Sequence, residues 1–177
     1  MSAQYFHLLR RQMIRPYRKP LMIVAPKTML RSPDASSPIT EMGQHTKFQK
    51  IIPDNRMSAS RVILCGGRHY FTLKKAVEER GISDKVELVR VEEVSPFPAV
   101  ELSEQLNKYK NAEEFFWCQE EPRNAGCWSF MQPRFKNILG LDLIYAGRPE
   151  LPSPAVGIGS MHKIQLESIV DDALRGI

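Results

Sequence analysis

The stretch Phe115-Phe-Trp-Cys-Gln-Glu-Glu-Pro-Arg-Asn-Ala-Gly-Cys-Trp-Ser-Phe-Met-Gln-Pro-Arg-Phe135 decides the fold. It opens on an apolar, aromatic-rich run, residues 115–118, bounded by charge, which is how a short buried strand reads. The run stops at Gln119-Glu-Glu-Pro122. Asn124 is then placed to cap a helix, because its side-chain oxygen can accept an orphan amide. Trp128, Met131 and Phe135 recur at helical spacing and predict one apolar stripe. Pro133 predicts a kink or a fresh start there, since proline brings no N–H to the ladder. The unit is a strand, a turn and a helix, with Glu120 and Glu121 at the carboxyl end of the strand. In open α/β sheets that edge is where ligands and partner domains dock. A solvated turn is the plainer reading of the same acidic pair.

Outward from this unit the chain repeats the pattern. Residues 61–65 (Arg-Val-Ile-Leu-Cys) read as a strand and Gly66-Gly67 as a tight turn. Residues 69–79 form a predicted helix with Tyr70, Leu73 and Val77 on one side, ended by Gly81. Residues 86–91 are the next strand. Pro96-Phe-Pro98 breaks the chain, and residues 99–109 carry Val100, Leu102 and Leu106 at helical spacing. Beyond Phe135, residues 141–146 are a further strand and residues 147–159 a loop rich in proline and glycine. Ser160 is placed to cap a last helix that runs to about Leu174, with Ile164, Ile169 and Val170 near one face. Strands that are nearly continuous in apolar residues, alternating with helices, predict an α/β fold. Its expected form is three-layer, a mostly parallel sheet with helices on both faces.

The amino-terminal part is less regular. Residues 3–15 read as a helix with Phe6, Leu9 and Met13 on one face, Arg10 and Arg11 away from it, and Pro16 at its end. Residues 21–25 are a strand candidate enclosed by Pro20 and Pro26. Residues 27–60 read as an extended connector with one short helix near residues 39–42. No acidic residue precedes Asp34, and the start is rich in arginine and lysine. That composition fits a mitochondrial presequence.

Composition bounds the partners. Of 177 residues, 42% are apolar and 25% charged, which describes a globular chain rather than a disordered one. The net charge is +5 with no single Lys/Arg run, so no nucleic-acid partner is expected. No apolar run approaches the roughly 20 residues that span a bilayer, so no membrane is expected. Cys65, Cys118 and Cys127 are odd in number and hold no Cys-x-x-Cys pair. Neither a disulfide framework nor a metal site is indicated, and a reducing compartment follows.

Three constellations offer chemistry. Gly66-Gly67 after a strand invites a nucleotide reading, but the third glycine of the dinucleotide pattern is missing, and a turn needing positive φ explains the pair. Cys65 ends a strand, where nucleophiles are displayed; His45, His69 or His162 would have to activate it, and buried cysteines ordinarily only pack. Lys27, Arg31 and Arg148, with Ser160, Met161 and His162, could gather an anion at a sheet edge with help from helix amides. Solvated cations and salt bridges are the alternative for the same residues.

With these residues in view the chain resembles a known family. His7-Leu-Leu-Arg-Arg-Gln12, Arg18-Lys-Pro-Leu21, Pro26-Lys-Thr-Met-Leu-Arg31, Arg90-Val-Glu-Glu-Val-Ser-Pro-Phe-Pro98, Trp117-Cys-Gln-Glu-Glu-Pro122, Tyr145-Ala-Gly-Arg-Pro149 and Pro154-Ala-Val-Gly157 look like the carboxyl-terminal region of the 2-oxoglutarate dehydrogenase decarboxylating component. The likeness covers essentially the whole chain, with the motifs in order. Trp128-Ser-Phe-Met-Gln-Pro-Arg-Phe135 and Gly157-Ile-Gly159 lean toward the paralogue that acts on 2-oxoadipate.

The resemblance implies a transketolase carboxyl-terminal-like α/β domain over residues 20–177. Residues 1–19 would be the remnant of a pyrimidine-binding domain with its linker helix, a reading that competes with the presequence and is preferred to it. It implies thiamine diphosphate and magnesium in the full-length family, not bound by this chain alone, which would be catalytically incomplete. The full-length enzyme would decarboxylate 2-oxoglutarate or 2-oxoadipate and pass the acyl group to lipoyl groups. Its partners would be the remaining domains, a second copy in a homodimer and a dihydrolipoyl acyltransferase core. The compartment would be the mitochondrial matrix in a eukaryote and the cytoplasm in a bacterium. Glu120, Glu121 and Asn124 are the expected interdomain contacts, and Lys27, Arg31 and Arg148 the expected anionic-effector residues. No residue is expected to be catalytic. A self-standing α/β module for an acyl-CoA or nucleotide is the alternative.

Overall fold

A computed structural model describes all 177 residues. The chain divides into two compact units, Met1–Gln49 and Lys50–Ile177.

The first unit holds one long helix, α1 (Ser2–Ile14), and three short 3-10 turns at Lys27–Arg31, Pro33–Ala35 and Ile39–Met42. The last of these is the short helix expected near residues 39–42. Arg15, the residue before Pro16, leaves the helical region at ψ 139°, which ends α1 where the proline requires it. α1 is anchored through small and polar residues. Ala3, Gln4 and His7 are buried. Gln4 donates from Nε2 to the Gln49 carbonyl at 2.8 Å and accepts the Gln49 amide at 2.9 Å. His7 Nε2 lies 2.8 Å from the Glu41 carbonyl. The predicted apolar face points the other way: Phe6, Leu9 and Met13 are 40%, 42% and 70% exposed. The strand expected at residues 21–25 does not form. A strand exists only when a neighbour takes its amides and carbonyls, and no backbone hydrogen bond joins residues 20–25 to the rest of the chain.

The second unit is the predicted layered fold. Its strands are β1 (Ile51–Pro53), β2 (Arg61–Cys65), β3 (Val86–Val91), β4 (Glu114–Pro122) and β5 (Ile144–Arg148). They lie in the order β1-β3-β2-β4-β5. β2 pairs parallel with β3 and β4, β4 pairs parallel with β5, and only the edge strand β1 is antiparallel. The helices are α2 (His69–Glu79), α3 (Ala99–Leu106), α4 (Trp128–Arg134) and α5 (Gly159–Leu174).

Because side chains alternate across a strand, the sheet presents two apolar faces. Ile63, Cys65, Leu88, Phe116, Cys118 and Ala146 pack with Leu73 and Val77 of α2 and with Ile169, Val170, Ala173 and Leu174 of α5. Val62, Leu64, Val89, Val91 and Trp117 pack on the opposite face with Leu102 and Leu106 of α3 and with Trp128, Met131 and Phe135. The stripe read from Trp128, Met131 and Phe135 is therefore core. Pro133 is held inside α4, and the helix widens directly after it into a π-helical turn, Phe135–Leu139. The chain makes no fresh start at Pro133: the backbone stays helical through it and on into the π turn.

Four boundaries differ from the sequence reading. β4 continues through Pro122, with an irregular register between Cys118 and Pro122, so Glu120 and Glu121 belong to the strand. β5 begins and ends later than residues 141–146, and α3 stops at Leu106 rather than at Tyr109. β1 lies inside the expected connector; as a three-residue edge strand it leaves little periodicity to detect.

Candidate functional site

The carboxyl ends of β2, β4 and β5 bring the predicted residues of the second unit to one edge of the sheet. The turn after β2 is made by Gly67 at φ +58°, a conformation L side chains rarely adopt. It delivers Arg68 and His69 to the start of α2. The Arg68 guanidinium bonds both carboxylate oxygens of Glu120, at 3.0 and 3.2 Å. The His69 ring lies between two groups of β4: Nε2 is 3.1 Å from Cys118 Sγ, and Nδ1 is 3.8 Å from Glu120 Oε1. At 3.8 Å the second contact is too long for a hydrogen bond, and this buried Nδ1 has no hydrogen-bond partner. His69 first and Arg68 next hold the Glu120 carboxyl down to about 2, against the burial that would raise it.

A depressed carboxyl contributes stability that is complete above its unfolded value and is lost as pH falls toward the folded one. For Glu120 that window runs from about 4.3 down to about 2. The Glu120 side chain is 24% exposed and that of Arg68 40% exposed, so solvent screening discounts the term heavily. Between about pH 6 and about pH 3 the chain should lose about 1 kcal/mol more stability than Glu120→Gln does. Urea melts of both proteins at the two pH values measure this. Equal losses would remove Glu120 as the source.

Arg148 ties the other two strands and α5 together. It is 5% exposed. Nη1 donates to the Glu120 carbonyl, Nε donates to Gln165 Oε1 at 2.7 Å, and Nη2 donates to His162 Nδ1 at 2.9 Å. An arginine has no acceptor, so His162 Nδ1 accepts. Lys27 and Arg31 lie in the first unit, exposed on one 3-10 turn and without an ion pair. Of the three residues expected for an anion, Arg148 has its donors engaged within its own unit, and the other two do not.

Glu121 is exposed and forms no ion pair, so it presents a bare carboxylate at this edge. Asn124 does not cap α4. Its Nδ2 donates to the Leu151 carbonyl at 2.9 Å and its Oδ1 accepts the Leu151 amide at 3.2 Å, which pins the loop after β5. The α4 cap is supplied from a distance by Gln119, whose Oε1 accepts the Cys127 and Trp128 amides at 3.1 and 3.0 Å. Ser160 is likewise not a cap: α5 starts at Gly159, with Ile158 before it and no side-chain bond.

No local sequence pattern marks Arg68 or the His69–Cys118 pair as part of this edge, nor Gln119 as a cap. One signal was there. Strand alternation carries Gln119 to the same face as Trp117, and a lone amide on an apolar face must be hydrogen-bonded.

Cys65 does not fit a nucleophile. It is fully buried, burial pushes its thiol far above the ordinary range, and His69 faces Cys118 instead. Nor do the residues of this chain fit a magnesium-diphosphate group. No three metal-ligating side chains come together, and the cleft beside α3, lined by Ser103, Tyr109, Lys110, Phe115 and Leu141, carries no carboxylate. No decarboxylation step is assigned to these side chains.

Comparison with known proteins bears on the whole chain. The family model for the 2-oxoglutarate dehydrogenase C-terminal region matches residues 36–174. The 2-oxoadipate dehydrogenase complex component E1 of Danio rerio is 52% identical over 96% of this chain and 19% of that protein. A probable homolog of that component from Caenorhabditis elegans is 49% identical over 96% of this chain and 19% of its own length. The 2-oxoglutarate dehydrogenase E1 component of Cupriavidus necator is 43% identical over 97% of this chain and 18% of that protein. The chain thus spans about a fifth of the length of these relatives. Among solved structures, a split-gene transketolase described as an inactive β4 tetramer aligns with TM-score 0.52 at 12% identity, covering 75% of this chain and 43% of that one. That likeness concerns the fold alone.

Proposed function

Because the chain belongs to the 2-oxoglutarate dehydrogenase C-terminal family, we propose that it forms the carboxyl-terminal unit of a 2-oxo acid dehydrogenase decarboxylating component acting on 2-oxoglutarate or 2-oxoadipate. The observation that carries this reading is the 52% identity to a 2-oxoadipate dehydrogenase component over 96% of the chain. In this role the chemistry lies elsewhere. Thiamine diphosphate with magnesium, held by the remaining domains, supplies the carbanion stabilisation, and the acyl group passes to lipoyl groups of a dihydrolipoyl acyltransferase core. The whole enzyme is a homodimer, located in the mitochondrial matrix of a eukaryote or the cytoplasm of a bacterium.

The work of this chain is structural. Glu120, Glu121 and Asn124 stand at the strand ends as interdomain contacts. The bare Glu121 carboxylate supports this role most directly, since Glu120 and Asn124 also hold local partners. Residues 1–19 belong in this proposal with the preceding pyrimidine-binding domain and residues 20–177 with the carboxyl-terminal domain, whereas by compactness the chain divides after Gln49.

A ligand of the native state must raise its stability. Thiamine diphosphate with magnesium should therefore leave the melting temperature of this chain within about 1 °C of its unliganded value. Differential scanning fluorimetry reads it. A concentration-dependent rise would place a cofactor site on this chain and end the proposal that it lies elsewhere.

A further inference from the structure

Residues 21–25 carry the signature of a strand and lack only a neighbour. The segment is Leu-Met-Ile-Val-Ala between Pro20 and Pro26, a composition enriched for strands. None of its amides or carbonyls is bonded to the rest of the chain. Its exposure alternates with the period of a strand: Leu21 and Ile23 are each 38% exposed, Met22 87% and Val24 97%. One side is thus half covered and the other bare. A bare apolar run with free backbone donors is an edge awaiting a partner.

A second observation in the same unit agrees. α1 is inverted: it buries Ala3, Gln4 and His7 and exposes Phe6, Leu9 and Met13. A helix of a self-sufficient unit turns its apolar stripe inward.

We propose that residues 21–25 add as a β-strand to an open sheet edge in the amino-terminal part of the larger enzyme, with the Phe6, Leu9 and Met13 face of α1 packing on that same body. The occupant follows from length. The relatives carry about four-fifths of their chain outside the region matched here, ample for a sheet-bearing domain. Strand addition also accounts for the choice of residues, because main-chain bonds supply affinity while alternate side chains fill pockets. The inference rests on the reading of the chain as a carboxyl-terminal unit, and it moves the start of the carboxyl-terminal domain from residue 20 to beyond residue 25.

The test is co-expression of this chain with the Danio rerio relative truncated where the match begins, so that neither piece has to fold alone. The pieces should co-purify. By hydrogen exchange, the amides of residues 21–25 should exchange freely in the isolated chain and at least about 100-fold more slowly in the complex. Successive amides point to opposite sides of a strand, so Ile23→Pro or Val24→Pro must remove a ladder bond whichever side is paired. At least one should weaken association about tenfold or more, while Val24→Thr should not. Both proline variants should melt at the wild-type temperature when alone, since the segment is unpaired there. Association with unprotected amides, or with both proline variants binding as wild type, overturns the strand and leaves the carboxyl-terminal reading intact. Failure of the wild-type pieces to associate overturns both. Protection of the same amides in a dimer of this chain alone assigns the edge to a second copy and overturns the proposed occupant.

Discussion

Gln119→Ala should lower the unfolding free energy of this chain by about 3–5 kcal/mol, more than most buried polar substitutions. The side chain is 4% exposed and satisfied at both ends. Oε1 accepts from Trp117 Nε1 at 2.9 Å and from the Cys127 and Trp128 amides. Nε2 donates to the carbonyls of Glu121, Pro122 and Ala125, at 3.2, 3.1 and 2.8 Å. Alanine leaves these groups in a space without donors or acceptors, and each stranded group costs roughly 1–3 kcal/mol. The full sum is not reached, because the α4 start can relax toward water. The loss of a helix cap alone is worth about 1 kcal/mol. Gln119→Glu separates hydrogen bonding from packing. At neutral pH its carboxylate keeps the acceptor but points a charge at three carbonyls, so it should be destabilising by a similar amount. Below its titration the protonated acid regains one donor, and part of the loss should return. Urea melts at the two pH values measure both. A loss under about 1 kcal/mol for Gln119→Ala would show that the α4 start holds without its remote cap.

The same residue shows why half of this edge could be read from the sequence and half could not. β2, α2 and β3 are local objects. An apolar run, a glycine turn, a helical stripe and a closing Gly81 determine them, and their residues are those of the structure. The cap of α4 is not local. Asn124 has the right chemistry at the right spacing, but Leu151, far along the chain, offers it two bonds at once. Gln119 precedes the amides it caps by almost a whole turn unit and reaches them only because β4 runs on past Cys118. Residues 21–25 form no strand within this chain for the complementary reason. Their composition is that of a strand, but strand formation is a property of a pair, and the sequence of one member does not contain the other.

The family likeness sits where these non-local bonds meet. Trp117-Cys-Gln-Glu-Glu-Pro122 is both the motif that resembles the family and the segment in which Trp117, Gln119, Glu120 and Glu121 each face a different requirement. Trp117 fills the core, Gln119 caps a helix, Glu120 binds Arg68 and contacts His69, and Glu121 stands free. Tyr145-Ala-Gly-Arg-Pro149 is its counterpart on β5. A Cβ at Gly147 would lie 3.0 Å from the Gln119 carbonyl, and Arg148 bonds the next carbonyl, that of Glu120. The two motifs are the two sides of one backbone contact.

Trp128→Ala is the second large effect expected, about 3–5 kcal/mol for removing a buried indole. Trp128 is 9% exposed and stands on the α3 and α4 side of the sheet. Its ring meets Tyr145 at a centroid distance of 5.0 Å, and the Arg123 guanidinium lies 5.5 Å from the Trp128 ring and 5.3 Å from the Tyr145 ring. Tyr145 in turn donates its hydroxyl to the Glu121 and Arg148 carbonyls, and burial raises that hydroxyl to about 12. The indole therefore supports the edge as well as the core: without it Tyr145 loses its tilted ring contact while its polar end stays tethered. The Trp128 backbone amide, which alanine keeps, is held by Gln119, so the cap and the indole secure the same first turn of α4 and the two substitutions should not add. A double-mutant cycle on Gln119→Ala and Trp128→Ala should show a coupling of about 1 kcal/mol or more, with the double variant more stable than the sum predicts. Additive losses would mean that ring and cap act separately. A loss below about 1 kcal/mol for Trp128→Ala alone would place the indole at a solvent-facing surface instead of in the core.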